Sequence, residues 1–510
     1  MPPIAMLRSR ARPNVSSRFF WAAVHRPLHQ SPGPTTSMIA EPAGAARSRR
    51  IGVLGAGSVV FAWRDATTFG AASATALTSS VQTTSAVPNG EATADANGQR
   101  MPSVSSSGPE VSIFVGASAM VREAMALDDD ARSELAALEA AGRLRTPRTI
   151  DGATGPVCTV DGVVLDNFSS NDYLSLAADP RLARAAAGAM EREGFGAGAS
   201  RLITGSLASH AALEREVADW MRCSGVRVFN TGYAANVGVL TSLAGSSDRI
   251  FSDELNHASI IDGCRLSRAR VDVYPHRDLG ALEALLSSSE RGRRRIIVTE
   301  SLFSMDGDIA DLAALHSLAR RHAAALVVDE AHAIGAHGEE GRGLCATAGV
   351  EPDVLVGTFG KSLGTFGAFA ATTRAIADLL WNRARPFVFS TALPPAIPAA
   401  TRASIEIVRG SEGTERRRTL ARHARMIREL VPFAGGAIDS AIAPILVGDD
   451  RATMALSSTL LAERVLVQGI RPPTVPTGTS RLRLSLAAGH TVQQLERAGR
   501  LLVNALRQSR

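Results

Sequence analysis

The sequence predicts an α/β fold, with a mainly parallel central sheet in a large domain and a smaller α/β domain at the C-terminus. Short apolar, β-branched segments alternate with segments of helical periodicity along the middle of the chain, which is the pattern of strand–helix–strand units. Several strand segments are apolar throughout, as strands buried on both faces of a parallel sheet must be. Polar residues follow these strands directly, at the sheet edge where open α/β folds bind ligands.

The chain begins with an extension, residues 1–122, that lacks sustained periodicity and is rich in Ser, Ala, Thr, Gly and Pro. This composition predicts a low-complexity, disordered segment. Residues 1–40 contain five arginines and no acidic residue, which is typical of a transit peptide. The other interpretation is a translation start assigned too far upstream, in which case Met120 or Met125 begins the natural protein.

The net charge of +6 belongs to this extension, which has 11 arginines and 5 acidic residues, whereas the remainder has 44 residues of each sign. The excess of basic residues therefore gives no indication of a nucleic-acid partner. The apolar stretch at 51–63 is too short to span a bilayer, so no membrane partner is expected. Four widely separated cysteines without metal-ligand spacing predict reduced thiols, no metal site and a cytoplasmic location, unless residues 1–40 direct the chain to an organelle.

Regular patterning begins at about residue 123 and predicts three further parts. Residues 123–172 form an N-terminal segment with a helix at 131–143 and a strand at 163–168. Residues 173–395 form the large domain, with helices at 181–193 and 210–221 on either side of a glycine-rich loop. Its predicted strands are 226–229, 249–251, 271–274, 295–299, 325–329 and 354–356. Residues 396–510 form the smaller domain, with strands at 443–447 and 482–486.

Lys361 is the single lysine among 55 basic residues. Arginine replaces lysine as a surface charge or an anion clamp, but its guanidinium stays protonated and cannot act as an amine nucleophile. Retention of one lysine therefore indicates chemistry that requires a primary amine, and a Schiff base is the leading option. The other interpretation is a surface lysine in an arginine-biased genome. The apolar strand before Lys361 and the small residues around it favour a held, buried amine.

An acidic residue ends the strand before this one. Asp329 closes the segment 325–329, and Lys361 follows the next strand along the chain. A lysine Schiff base with an aspartate on the pyridine nitrogen is the arrangement that pyridoxal phosphate requires. Gly232, at the start of a helix after another strand, would let backbone N–H groups approach a phosphate. The sequence thus predicts pyridoxal 5'-phosphate as cofactor.

From about Ala131 to its end, the chain resembles the α-oxoamine synthases, which are pyridoxal-phosphate enzymes of fold type I. The stretches that carry the resemblance are 167–174, 255–259, 299–308, 329–332, 357–361, 471–476 and 481–484. The resemblance implies a decarboxylative condensation of a small amino acid with an acyl thioester. Residues 1–122 have no counterpart in the family.

The resemblance also implies how the cofactor ring is held. Lys361 would bond to the cofactor and then act as acid and base, Asp329 would pair with the pyridinium nitrogen, and His257 would stack on the ring. His332 and Ser304 would hydrogen-bond to the phenolic oxygen.

The phosphate would be held by Thr358 and by the backbone of Gly232 and Tyr233. Because members of the family form homodimers, Thr391 would contact the phosphate across the subunit interface.

On the substrate side, the resemblance implies that Arg483, Asn171 and His257 meet the amino acid and that Arg145 and Thr474 meet the acyl group. The stretch 471–476 favours members that condense L-alanine with pimeloyl-CoA or pimeloyl-[acyl-carrier protein]. Two alternatives stay open: a sister synthase that uses glycine with acetyl- or succinyl-CoA or serine with palmitoyl-CoA, and a catalytically silent structural subunit. The chain departs from the family pattern at two places: at Ala333, where many relatives have glycine, and in the loop 200–202. These departures bear on which substrates are used and not on the reaction class.

Overall fold

The computed structural model describes residues 114–288 and 294–508, with side chains from residue 126 onward. Residues 1–113 of the predicted extension therefore lie outside the described residues, while 114–122 belong to the first helix, α1 (Phe114–Ala140). This helix begins well before the predicted 131–143. It ends earlier because Gly142 adopts a positive φ of 67°, a conformation that glycine adopts without strain and that cannot continue a helix. Its predicted apolar face is largely exposed, with Leu135 at 51 %.

The described residues form three sheets flanked by helices. The strands are β1 (Ile150–Asp151), β2 (Val157–Val160), β3 (Val163–Asn167), β4 (Gly225–Phe229), β5 (Arg249–Asp253), β6 (Arg270–Tyr274), β7 (Arg295–Glu300), β8 (Ala325–Asp329), β9 (Val354–Thr358), β10 (Ala368–Thr372), β11 (Ile442–Gly448), β12 (Val465–Leu466), β13 (Gln468–Ile470) and β14 (Ser480–Ser485). The helices after α1 are α2 (Pro180–Glu193), α3 (Ala208–Met221), α4 (Gly232–Leu243), α5 (Ala258–Ser267), α6 (Leu279–Ser287), α7 (Leu312–Arg321), α8 (Gly343–Thr347), α9 (Arg374–Arg383), α10 (Arg385–Val388), α11 (Ala396–Arg409), α12 (Ser411–Leu430), α13 (Asp450–Ala462) and α14 (Val492–Gln508).

The central sheet has the strand order β4-β10-β9-β8-β7-β5-β6, and only β10 runs antiparallel to its neighbours. The six strands predicted for the large domain are all present, so the predicted mainly parallel α/β fold is confirmed. The sequence pattern missed β10, whose five residues are all buried. Three of them are alanines, which have low β-propensity, so tertiary packing and not local preference determines this strand.

Two smaller sheets lie in the rest of the chain. The strands β11, β14 and β13 form one of them, which includes both strands predicted for the C-terminal domain. In the other, β12 pairs in parallel with β3, so residues 465–466 join the N-terminal segment. The division into 123–172, 173–395 and 396–510 stays a prediction.

A tight turn after Lys361 packs against the loop that follows β3. The Gly364 N–H donates to the Lys361 carbonyl at 2.9 Å, and Gly364 has a φ of 64°. A Cβ on Gly364 would lie 2.3 Å from the backbone nitrogen of Ala177. That nitrogen donates to the Asp172 carboxylate, which braces the loop. The position of Lys361 thus depends on a backbone contact that only glycine permits.

We expect Gly364→Ala to lower the thermal midpoint more than Gly152→Ala does. Both glycines have positive φ, but a Cβ at Gly152 would meet nothing within 4 Å. The control Gly152→Ala should therefore lose only about 1 kcal/mol of stability, which is the cost of placing alanine at a positive φ. Gly364→Ala adds an overlap that costs roughly 1–3 kcal/mol more. Equal losses by differential scanning calorimetry would contradict the close-contact explanation.

Candidate active site

The side chain of Lys361 is half-buried just beyond the carboxyl end of β9. Its Nζ lies 2.7 Å from Nε2 of His332, which follows β8. Burial lowers the pKa of Lys361 to about 8, although the Asp329 and Glu300 carboxylates oppose that shift and Arg483 adds to it. A substantial fraction of the amine is therefore neutral at mildly alkaline pH, which both a nucleophile and a base require.

Asp329 ends the neighbouring strand and is held by two donors. Its Oδ2 accepts from Asn236 Nδ2 at 2.7 Å, and its Oδ1 accepts from the Ala331 N–H at 2.8 Å. Asn236 also donates to Ser259 Oγ at 2.9 Å. Sequence reasoning missed Asn236, because it lies inside α4 and not directly after a strand. A buried amide within the apolar run of that helix is the signal that could have found it.

His332 is buried and is bonded through both ring nitrogens. Its Nδ1 lies 2.7 Å from the Tyr173 hydroxyl, opposite the nitrogen that faces Lys361. Burial, with the positive charges of Lys361 and Arg483, holds the pKa of His332 well below its usual range. The ring is therefore neutral and carries one proton. Tyr173 is fully buried and belongs to a stretch that carries the family resemblance, but no role was predicted for it.

Two further side chains complete the group around the amine. His257 caps α5, where its Nδ1 accepts from the Ser259 N–H at 3.2 Å, and this fixes the imidazole at the site. Glu300, at the end of β7, is buried, and this burial, reinforced by Asp329, raises its pKa to about 8. Its Oε2 accepts from the Ser304 N–H at 3.2 Å, whereas its buried Oε1 has no hydrogen-bond partner among the described residues.

The N-terminus of α4 forms a cradle suited to a phosphate. Thr231 caps the helix by accepting from the Ala234 N–H at 3.0 Å, and the first two N–H groups of the helix belong to Gly232 and Tyr233. First-turn N–H groups have no intrahelical acceptor and favour an anion. A Cβ at Gly232 would lie 4.0 Å from the Thr358 Cβ, so the Thr358 side chain lies beside this cradle, where its hydroxyl donates to the Gly367 carbonyl at 3.0 Å. With Lys361 and Asp329 nearby, this donor set fits pyridoxal phosphate.

Arg483, on β14, is a buried guanidinium at the other side of the amine. Its Nη1 donates to Asn171 Oδ1 at 3.2 Å and to Ser485 Oγ at 2.8 Å. Its Nε donates to the Ser304 carbonyl at 2.6 Å. In the described part of the chain, no carboxylate is among the hydrogen-bond partners of Arg483. Its guanidinium can therefore donate hydrogen bonds to the carboxylate of a substrate.

Three predicted residues stand apart from this group. Arg145 and Thr474 are exposed. Burial lowers the pKa of Arg471, and the nearby charge of Arg145 lowers it further. Thr391 is also exposed, and its carbonyl accepts from Asn230 Nδ2 at 2.8 Å. None of the three hydrogen-bonds to Lys361, Asp329 or His332 within the described ranges. Their predicted roles toward the acyl group and across a subunit interface stay predictions.

Across the ranges 114–288 and 294–508, no helix is long and apolar enough to cross a bilayer. In the same ranges, no group of three or more His, Cys, Asp or Glu residues is placed to hold a metal ion.

Comparison with known proteins agrees with the fold. Residues 165–502 match the family model of the class I and II aminotransferases, and the chain belongs to that family. It is 48 % identical to the 8-amino-7-oxononanoate synthase of Geobacter sulfurreducens over 370 residues, which are 72 % of this chain and 95 % of the relative.

Two solved structures are similar. A serine palmitoyltransferase from S. paucimobilis with a bound PLP–myriocin aldimine has a TM-score of 0.71 and 30 % identity, covering 76 % of this chain and 98 % of that one. The 8-amino-7-oxononanoate synthase of Francisella tularensis has a TM-score of 0.59 and 28 % identity, covering 68 % of this chain and 98 % of that one.

A bridging histidine fixes the loop that carries Ser304. His276 lies between two carboxylates, with Nδ1 2.9 Å from Asp253 and Nε2 2.9 Å from Asp308. Burial alone would lower its pKa, but the two carboxylates raise the pKa of His276 to about 9. Asp308 closes the loop through its carbonyl, which accepts from the Phe303 N–H at 3.0 Å. The imidazolium therefore ties the end of β5 to the loop after β7.

We expect His276→Gln to reduce stability in a pH-dependent manner. Because the folded-state pKa lies above the unfolded value, the stabilisation is complete below about pH 6.5 and disappears as the pH rises through about 9. The loss at low pH should be on the order of 3 kcal/mol. Thermal midpoints of wild type and variant should converge near pH 10. His316→Gln, outside this network, is the matched control, and a pH-independent difference would refute the assignment.

Proposed function

We propose that this chain is a pyridoxal-phosphate-dependent acyltransferase of biotin biosynthesis. It condenses L-alanine with pimeloyl-CoA or pimeloyl-[acyl-carrier protein] and releases 8-amino-7-oxononanoate, carbon dioxide and the free thiol carrier. The observation that carries the proposal is the combination of the Lys361–Asp329–His332 group with 48 % identity over 95 % of a synthase of that name.

The chain's own residues account for the proton chemistry. When bound, pyridoxal phosphate supplies an electron-accepting ring beside the amino acid Cα. Lys361 takes the Cα proton, since its amine is partly neutral near its pKa of about 8. Asp329, fixed by two donors, would hold the proton on the ring nitrogen. The N–H groups of Gly232 and Tyr233, with the Thr358 hydroxyl, would hold the phosphate.

The substrates would bind on either side of this group. Arg483 and Asn171 would hold the alanine carboxylate, which fixes the orientation of Cα relative to Lys361. Arg145 and Thr474, which are both exposed, would meet the acyl chain. The positive charge of Arg145, close to that of Arg471, suits the terminal carboxylate of a pimeloyl group.

A sister synthase is the second candidate, because the serine palmitoyltransferase structure has the higher TM-score of the two, 0.71 against 0.59. Sequence identity favours the biotin-pathway enzyme, with 48 % against 30 %. A catalytically silent subunit would have no need for a lysine whose pKa is lowered, so retention of Lys361 and its partners argues against that role.

We propose further that the chain acts as a homodimer in the cytoplasm. Phe195, Ile203 and Phe389 are at least 72 % exposed in the single chain. They flank the bridge between Ser200 and Thr391, where the phosphate contact from a second copy is expected. Burial of these side chains in a dimer would support both the interface and the role of Thr391.

We expect Lys361→Arg to fold normally and to lose turnover, because a guanidinium is neither a nucleophile nor a base at neutral pH. Borohydride reduction should fix pyridoxal to the Lys361 peptide of wild type and to no peptide of the variant. In the control Lys361→Ala, added methylamine should restore part of the activity, since a free amine can replace the missing base. Turnover of Lys361→Arg comparable to wild type would refute the assignment.

A panel of three amino acids against several thioesters tests the substrate assignment. L-Alanine with a pimeloyl thioester should release carbon dioxide fastest, while glycine should react slowly, because one methyl group discriminates by only about 1–3 kcal/mol. Arg145→Gln should raise the KM for the pimeloyl thioester more than the KM for alanine. Faster turnover of glycine with acetyl- or succinyl-CoA, or of serine with palmitoyl-CoA, would assign the chain to a sister reaction.

A further inference from the structure

A continuous chain of hydrogen bonds joins the guanidinium of Arg483 to the amine of Lys361. Arg483 Nη2 lies 3.4 Å from the Tyr173 hydroxyl, this hydroxyl lies 2.7 Å from His332 Nδ1, and His332 Nε2 lies 2.7 Å from Lys361 Nζ. Asn171 Oδ1 lies 3.2 Å from both Arg483 Nη1 and the Tyr173 hydroxyl. Tyr173 is fully buried, so no bulk water can replace these contacts.

The directions of these bonds follow from the donors available. A guanidinium only donates, so both Asn171 Oδ1 and the Tyr173 oxygen act as acceptors toward Arg483. The hydroxyl proton of Tyr173 then has two possible acceptors, Asn171 Oδ1 and His332 Nδ1. His332 is neutral and carries a single ring proton, so its two nitrogens must take opposite roles.

Each choice for the tyrosine proton specifies which charge states of the lysine find a partner. When Tyr173 donates to Asn171, His332 keeps its proton on Nδ1 and donates to the hydroxyl oxygen, which leaves the Nε2 lone pair facing Lys361 as an acceptor for an N–H of either the ammonium or the amine. When Tyr173 donates to Nδ1, the ring proton lies on Nε2 and points at Lys361, which must then be a neutral amine.

We propose that Tyr173 is a positioning residue whose hydroxyl proton, shared between Asn171 and His332, selects the tautomer of His332 that faces Lys361. The lysine can thereby change charge while the imidazole stays in place and every buried polar group keeps a partner. The use of this arrangement in turnover rests on the proposed function. The proton arrangement itself belongs to the folded chain and can be measured without substrate.

Five charged or titratable groups in this network influence the pKa of Lys361 or of His332. Asp329, Glu300 and Arg483 act on Lys361, and Lys361, Arg483 and His257 act on His332. Tyr173→Phe changes none of these charges and nearly preserves the buried volume. It removes the acceptor for a proton on Nδ1, so the ring proton should move to Nε2 and point at Lys361. The variant should therefore disfavour the ammonium form of Lys361.

Because Lys361 is the single lysine of the chain, its titration can be followed directly. Full-length protein is freed of cofactor with hydroxylamine and labelled with trace acetic anhydride between pH 6 and 10. Mass spectrometry then quantifies acetylation of the Lys361 peptide, with the α-amino group as internal reference. Tyr173→Phe should lower the midpoint by about one pH unit, since a hydrogen bond to a charged group has about that effect on a pKa.

Asn171→Ala provides a second, independent test. It removes the other acceptor, so the tyrosine proton should move to His332 Nδ1 and the midpoint should fall in the same direction. Tyr274→Phe is the matched control, because Tyr274 is equally buried but lies on the edge strand β6, three strands from β8. A midpoint that stays at the wild-type value in either test variant, or that falls equally in the control, would overturn the proposal. Wild-type turnover of alanine and pimeloyl thioester tests the function separately.

Discussion

The site depends on keeping a primary amine partly neutral next to carboxylates that favour its charged form. Burial lowers the pKa of Lys361 to about 8, against the attraction of Asp329 and Glu300. The burial of Glu300, reinforced by the charge of Asp329, raises the pKa of that carboxyl to about 8. Such opposed shifts are typical of sites that perform acid–base chemistry near neutral pH.

The parallel sheet brings these groups together because the carboxyl ends of its strands meet at one edge. Asp329 ends β8, Glu300 ends β7, and Lys361 follows β9. The sheet fixes the backbone at each position, while Asn236 and Tyr173 fix the side chains from outside the sheet. A strand end supplies a functional group, and a buried amide or hydroxyl from another element then restricts its orientation.

The sequence predicts the strand-end residues well, because periodicity locates strands and the topology of α/β sheets converts their ends into a site. Asn236 and Tyr173 have no such signal, since their importance arises from which distant residue they contact. Periodicity failed at β10 for a similar reason: its alanines are buried by neighbours on both sides. Local pattern thus indicates where chemistry can occur, whereas the contacts that orient it are tertiary.

In this family, similarity of fold and similarity of sequence give different information about the reaction. The chain shares its fold with a serine palmitoyltransferase at a TM-score of 0.71, yet its sequence is closer to synthases of another reaction. In the proposed function, Lys361, Asp329 and Arg483 serve steps that such reactions have in common. Arg145 and Thr474, the positions proposed to meet the acyl group, are exposed and lie outside the core. Backbone similarity therefore indicates the kind of enzyme, whereas the choice of acyl group has to be tested at these exposed positions.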